Sequence, residues 1–361
     1  MKAVILQSYA KPDWPLAKAY PERWPASRVV CGEMPSLRYR TKLGFVLQLP
    51  KLFLFGFREG LAALKEARPP EVFVVHTDPE VIGMKLAQLL RWKRVPIVIC
   101  GFIYTLRKSP IVNFCRRLYF RAVLSMTDGV ICHSRLEVSR YASIFGLKEA
   151  QFDSVPFALN VELPADLDTR GKGYVLSAGR AERDYGLLSE AWTELPQNLH
   201  IVCDTEAPLR SVKALPNITL LRRCFDVDYM REITGADFVV VPLKDKELSA
   251  GQMVLLQSMA VGKAVIISRT PTTEEYGEHR KTLYFVEHGS AGAIREAVRD
   301  LAANPDLRAS IGAAGQARYR QRHTVHAYVN GVLSSVERLL GRASADDAAL
   351  GTQRGDSARD A

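Results

Sequence analysis

Two stretches of this 361-residue chain combine small residues with groups able to hold an anion. In the first, the apolar run Tyr174-Val175-Leu176-Ser177 leads into Ala178-Gly179-Arg180-Ala181-Glu182-Arg183-Asp184-Tyr185-Gly186, after which Leu187, Leu188, Ala191 and Leu195 recur at helical spacing. Gly179 permits a tight turn, Arg180 offers a bidentate donor, and the helix that follows begins with free N–H groups, a set suited to a diphosphate. A strand–Gly–Arg–helix turn is also an ordinary connection, so the segment does not stand alone. In the second, Ala236 to Leu243 reads as a strand ending at Pro242, and Ser249-Ala250-Gly251-Gln252-Met253-Val254 opens a helix that stops at Gly262. Small residues at 249 to 251 let a ligand approach the backbone, and the helix N-terminus favours phosphate. Gln257, further along that helix, carries an amide with both donor and acceptor for a ribose hydroxyl pair. The plainer alternative is a capped core helix with Ser249 or Gln252 as surface polar residues.

These loops need rigid elements behind them. Runs at Ala3–Leu6, Val72–Val75, Pro96–Cys100 and Val130–Cys132 alternate with helical patterns at Glu80–Trp92 and Ile111–Ser125. The second half repeats the rhythm at Tyr174–Ser177, Leu199–Val202, Ile218–Leu221, Phe238–Val241 and Ala264–Ile267. Continuous Val/Ile runs separated by helices predict parallel sheets covered on both faces, hence two doubly wound α/β domains with a cleft between them. The join is expected in Asn160–Gly173, where Pro, Gly and charge replace apolar periodicity, and the small polar tail from Ala343 is expected to be disordered.

Together the two loops resemble the nucleotide-sugar-binding half of GT-B glycosyltransferases, in particular the retaining glycosyltransferase family 4. The resemblance runs from about Tyr174 to Leu340 through the S-x-G-R strand end, the A-D-x-x-x-x-P strand, the Gly-bearing loop and the helix ending M-A-x-G-K-x-V-I. It implies two Rossmann-like domains facing across a cleft: residues 1–163 on the acceptor side, and 164–342 for the donor, with the last helix returning to the first domain. It also implies that Gly179 and Arg180 grip the donor diphosphate and that Gly251 to Val254 contact phosphate and sugar. Gln257 would face the ribose, and the nucleobase would stack near Arg223 and Cys224. The sequence departs from the family pattern where two glutamates usually stand (here Ser249 and Gln257) and where a phosphate-gripping lysine is usual (here Tyr185). Tyr185 can still donate to phosphate, and Lys246 and Lys263 are nearby cations, each more simply read as a solvated surface lysine. The histidine usual after a first-domain strand has no counterpart near Gly101-Phe102; His76, after an earlier strand, is the candidate catalytic histidine, with a structural role as its plainer reading.

The 49 Lys and Arg exceed the 39 Asp and Glu, and residues 1–160 hold 24 of the bases but only 12 of the acids. No acid lies between Glu80 and Asp128, whereas Arg107 to Arg121 mixes cations with Ile111, Val112, Phe114, Leu118, Tyr119 and Phe120. That mixture suits an anionic lipid surface, and no nucleic-acid-binding motif accompanies it. Leu43–Phe57 is apolar but too short to span a bilayer, and reads as an interfacial segment or a buried helix. Six scattered cysteines without a C-x-x-C pair fit reduced thiols in the cytosol. Neither Glu274, Glu275, Glu278 and His279 nor His323 and His326 follow a metal-ligand spacing, so no metal and no cofactor beyond the sugar nucleotide is expected. The expected function is transfer of a sugar from a nucleoside diphosphate to a glycan or lipid-linked acceptor, in polysaccharide or glycoconjugate synthesis, at the inner face of the membrane. A catalytically silent scaffold and a nucleotide-sugar epimerase on the same fold are the rivals.

Overall fold

The computed structural model describes residues 1–34, 42–107, 109–161, 168–244 and 249–341. Lys108, Lys246 and the tail from Ala343 lie outside them. Two compact units are present: Met1–Val155 with the segment from Tyr328, and Pro156–Ala327.

The first unit is built on six parallel strands, β1 (Ala3–Gln7), β2 (Ser27–Cys31), β3 (Val72–Val75), β4 (Ile97–Cys100), β5 (Gly129–Cys132) and β6 (Phe152–Ser154), in the order β2-β1-β3-β4-β5-β6. Alternate residues bury on opposite faces. Val4, Leu6, Phe73, Val75, Ile97, Ile99 and Val130 enter one core with Met84, Val123, Leu124 and Phe145 from flanking helices, while Ala3, Ile5, Val72, Val74 and Val98 are equally buried on the other side. Burial of both faces explains why these strands read as unbroken apolar runs. The second unit repeats the plan with β7 (Tyr174–Ala178), β8 (Asn198–Val202), β9 (Ile218–Leu221), β10 (Phe238–Val241), β11 (Val265–Ser268) and β12 (Tyr284–Val286), ordered β12-β11-β10-β7-β8-β9. One face carries Leu176, Val239, Val241, Leu255 and Met259, the other Val175, Val240, Ile266, Trp192 and Val298.

Periodicity did not reveal β2, β6 and β12. All three are edge strands, and an edge strand needs less apolar sequence because part of it meets solvent. The join of the two units also differs in position: it falls at Val155/Pro156, ahead of the Pro- and Gly-bearing stretch.

Leu43–Phe57 belongs to a single helix, Lys42–Lys65, which runs through Pro50 and packs along the helix Asp78–Arg91. Glycines bring the two backbones together. A Cβ on Gly56 would stand 2.6 Å from the Glu80 carbonyl oxygen, and one on Gly83 would stand 2.7 Å from the Phe57 nitrogen. No described helix is long and apolar enough to cross a membrane. Gly83→Ala should therefore push these helices apart and cost about 1–3 kcal/mol through overpacking; a thermal midpoint equal to wild type would refute the close approach.

Each sheet grows in two directions from its first strand. In the first unit the chain passes from β1 to β2 on one side and then to β3 on the other; in the second, β8 and β9 follow on one side of β7, and β10 starts the other. The carboxyl ends of β1/β3 and β7/β10 are thus topological switch points, where connecting segments leave in opposite directions and a crevice opens.

Candidate functional site

Both anion-suited loops lie at the β7/β10 switch point. Gly179 follows β7 at φ +111°, and Gly251 caps the helix Gln252–Ala260 at φ +91°, angles that side-chain-bearing residues rarely adopt. Backbone bonds stitch the loops together: Asp184 N–H donates to the Pro242 carbonyl at 3.1 Å, and Lys244 N–H to the Glu182 carbonyl at 3.0 Å. Gly251 offers no side-chain acceptor to the helix, whose first intrahelical bond runs from Leu255 N–H to the Gly251 carbonyl. The N–H groups of the first turn and the helix dipole therefore face the loop region.

The cation between these loops is Arg183. Its side chain is only 6% exposed, and the guanidinium lies flat against Gly179, where a Cβ would come within 2.7 Å of Nη2. Nη1 stands 3.8 Å from the corresponding position on Gly251. Nε donates to the Ala178 carbonyl and Nη1 to the Ala181 carbonyl, both at 2.9 Å. Among the described residues Arg183 faces no carboxylate in an ion pair, so burial, which lowers its pKa, leaves a cation short of a counter-charge. In the sequence Arg183 lies between positions 180 and 185 with no spacing that distinguishes it. Only the pairing of its loop with Leu243 marks it out.

The other expected site residues divide. Arg180 is 55% exposed and bonds Asp204, just beyond β8, at 3.2 Å. Ala250 and Val254 are buried, and Met253 is exposed. Ser249 keeps a buried hydroxyl without a partner among the described residues. Gln257 is buried, and its Oε1 accepts from the Tyr229 hydroxyl at 3.2 Å, so the amide is held by the protein. Arg223 and Cys224 follow β9, at the sheet edge two strands from β7.

Two expectations are corrected. Tyr185 cannot donate to a phosphate: it is completely buried, and its hydroxyl donates to the Gly179 carbonyl at 2.5 Å, bracing the turn from beneath. Lys263 is not a solvated lysine. It is buried, donates to the Thr169 and Ala236 carbonyls at 2.6 Å each, and is pulled down to about 8 by burial. A long apolar stem lets its amine reach the two carbonyls. Glu278 pairs with Lys281 and His279 accepts from the Phe285 N–H; among the described residues no group of His, Cys, Asp and Glu is arranged to hold a metal.

In the first unit His76 follows β3. Its Nδ1 lies 2.7 Å from the Leu6 carbonyl, which can only accept, so Nδ1 carries the proton and Nε2 is an acceptor in the neutral ring. Burial holds its pKa below the usual value, with the Leu6 bond opposing. The same turn is fixed by Glu80, whose Oε2 accepts from the N–H groups of His76 and Thr77 at 3.0 and 3.1 Å.

Residues 172–304 match the family model described as glycosyl transferases group 1. No curated protein matches the chain by sequence. Among solved structures, sucrose-phosphate synthase from Thermosynechococcus elongatus is 15% identical, with a TM-score of 0.66 over 95% of this chain and 100% of that one. Anabaena HepE in complex with UDP-glucose is 14% identical, with a TM-score of 0.62 over 93% and 100%. A glycosyltransferase from Rickettsia africae is 14% identical, at 0.63 over 95% and 100%. These likenesses establish the GT-B fold.

Two measurements check the geometry. Tyr185→Phe should cost about 1 kcal/mol, the worth of one hydrogen bond; a melting temperature equal to wild type would contradict the brace. Burial pushes the Glu80 carboxyl up to about 8, so the folded state keeps a proton that the unfolded chain releases. Its contribution is full below the ordinary carboxylate pKa and is lost as pH rises through 8. Glu80→Gln should flatten that fall in melting temperature, and parallel pH profiles for the two proteins would contradict the assignment. Residues 172–304 thus carry a glycosyl transferases group 1 domain, in a chain with the GT-B fold.

Proposed function

We propose that the Pro156–Ala327 unit binds a nucleoside diphosphate sugar and that the protein transfers its sugar, with retention at the anomeric carbon, to a glycan or lipid-linked acceptor. The observation that carries this reading is the buried Arg183 guanidinium between Gly179 and Gly251, beside an uncapped helix N-terminus. A diphosphate placed there gains the missing counter-charge and the first-turn N–H groups together. As the glycosidic bond breaks, negative charge grows on the departing diphosphate, where a fixed cation and fixed dipoles stabilise it without reorganising. In this reading no protein nucleophile and no cofactor beyond the sugar nucleotide is required. Arg180, at the rim, would exchange its exposed pair with Asp204 for the outer phosphate. Complexes of HepE with UDP-glucose and UDP support the ligand class.

Calorimetry with a panel of nucleotide sugars tests it. Wild type should bind at least one, and Arg183→Lys, which keeps charge but loses the fork, should weaken binding about tenfold, as expected for loss of a charge-assisted bond. No heat with any donor would instead mark a silent scaffold.

The same reading places the first unit at an anionic membrane on the cytoplasmic side. The helix Pro110–Ser125 exposes Ile111 (76%), Phe114 and Leu118, with Arg117 stacked 5.9 Å over Phe114. Trp92, after the helix Asp78–Arg91, is 93% exposed. Apolar anchors among cations match a lipid interface. The protein should sediment with phosphatidylglycerol vesicles but not with phosphatidylcholine vesicles, and Ile111→Asp with Phe114→Ser should abolish this; equal binding to both lipids would refute the charge argument.

A further inference from the structure

The carboxyl edge of the second sheet carries an acid among its bases, and the strand register explains the placement. Ala178 of β7 lies beside Val202 of β8, and Val202 beside Leu221 of β9. The ladder runs on past the strand ends: Gly179 N–H donates to the Val202 carbonyl at 3.0 Å, and Cys203 N–H to the Leu221 carbonyl at 3.1 Å. Continuing the register by two residues sets Asp204 in a row between Arg180 and Arg223. Asp204 takes Arg180 as its partner, Nη1 donating to Oδ2 at 3.2 Å. The turn that carries the carboxylate is held by buried Cys203, whose thiol donates to the Thr205 carbonyl at 3.3 Å. Glu206, further along, pairs with Arg222 at 2.8 Å.

Stability does not account for this carboxylate. An ion pair so open to water contributes little, and beside an anion site Asp204 repels the kind of ligand that buried Arg183 attracts. Arg180 directly follows Gly179, against which the Arg183 guanidinium lies, so a diphosphate held there feels the field of Asp204. Such repulsion acts most on the ligand with the most charge. In a nucleoside diphosphate sugar each phosphate carries a single negative charge. Transfer breaks the bond from the anomeric carbon to the diphosphate oxygen; the electron pair stays on that oxygen, the acceptor oxygen bonds the anomeric carbon, and the acceptor's proton goes to solvent. The nucleoside diphosphate left behind therefore carries a further charge on its terminal phosphate, whose last proton leaves near pH ~6.

We propose that Asp204 is a specificity-determining residue: by competing for Arg180 and opposing the terminal phosphate, it makes the second unit prefer a nucleoside diphosphate sugar over the nucleoside diphosphate left after transfer. This role rests on the donor-binding reading above and adds to it a selection against spent nucleotide. The sugar-bearing ligand has no second charge on the phosphate next to the sugar and meets the smaller repulsion; the freed nucleotide meets the larger and leaves.

Calorimetry on the full chain with the pairs UDP-glucose and UDP, ADP-glucose and ADP, and GDP-mannose and GDP tests this role. Asp204→Asn keeps the shape of the side chain and an acceptor for Arg180 but removes the charge. For a pair that wild type binds, it should tighten the nucleoside diphosphate about fivefold more than the sugar nucleotide, the size of one exposed unit-charge repulsion. Asp204→Glu, which keeps the charge, should retain the wild-type ratio of the two affinities. In about 1 M sodium chloride, where the screening length falls to ~3 Å, the difference between wild type and Asp204→Asn should largely vanish, a response that a purely structural role for the aspartate does not give. Glu206→Gln, which removes the neighbouring acid from its pair with Arg222, should leave the ratio within about twofold of wild type. A ratio for Asp204→Asn equal to wild type, or an equal shift in Glu206→Gln, overturns the assignment to Asp204 while the donor site stands. Heat from no nucleotide in wild type removes the donor site itself, and the selection with it.

Discussion

A parallel sheet that extends to both sides of its first strand cannot cover its own carboxyl edge at the point of divergence. Connections from neighbouring strands depart in opposite directions there, and backbone groups and side chains at the strand ends stay without intramolecular partners. This chain meets the constraint twice, at β1/β3 and at β7/β10. Gln7 and His76 in the first unit, and Arg183 and Ser249 in the second, lie at those places.

The two edges carry different chemistry. At β7/β10 the unmet group is a guanidinium, pressed between two glycines whose backbone angles exclude other residues and braced by the buried Tyr185 hydroxyl beneath the turn. A buried cation with part of its donor fork unused attracts an anion. At β1/β3 the buried groups without a hydrogen-bond partner include the Gln7 amide, the His76 Nε2 and the Glu80 Oε1.

The resemblance to known glycosyltransferases fails at single positions in a physically instructive way. Tyr185 stands where a lysine is usual, yet it does not take over the lysine's task. Its ring fills the core and its hydroxyl holds Gly179, which frees the space above for Arg183, two residues earlier. Lys263 had looked like a mobile surface cation and is instead locked by two carbonyls. In both cases side-chain length and packing, not residue class, determined the role.

Composition and pattern determined the architecture because a strand buried on both faces must be apolar throughout, and nine of the twelve described strands, the edge strand β9 among them, carry an apolar run; β2, β6 and β12, at sheet edges, do not. The glycine positions and the helix start at Gln252 were legible for a similar reason, since a left-handed backbone and a free helix end leave a local signature. Tertiary structure alone decided which arginine enters the site, that Gln257 is held by Tyr229, and that Gln7 and His76 share one edge. These depend on contacts between residues tens of positions apart, where neither spacing nor propensity records the distance.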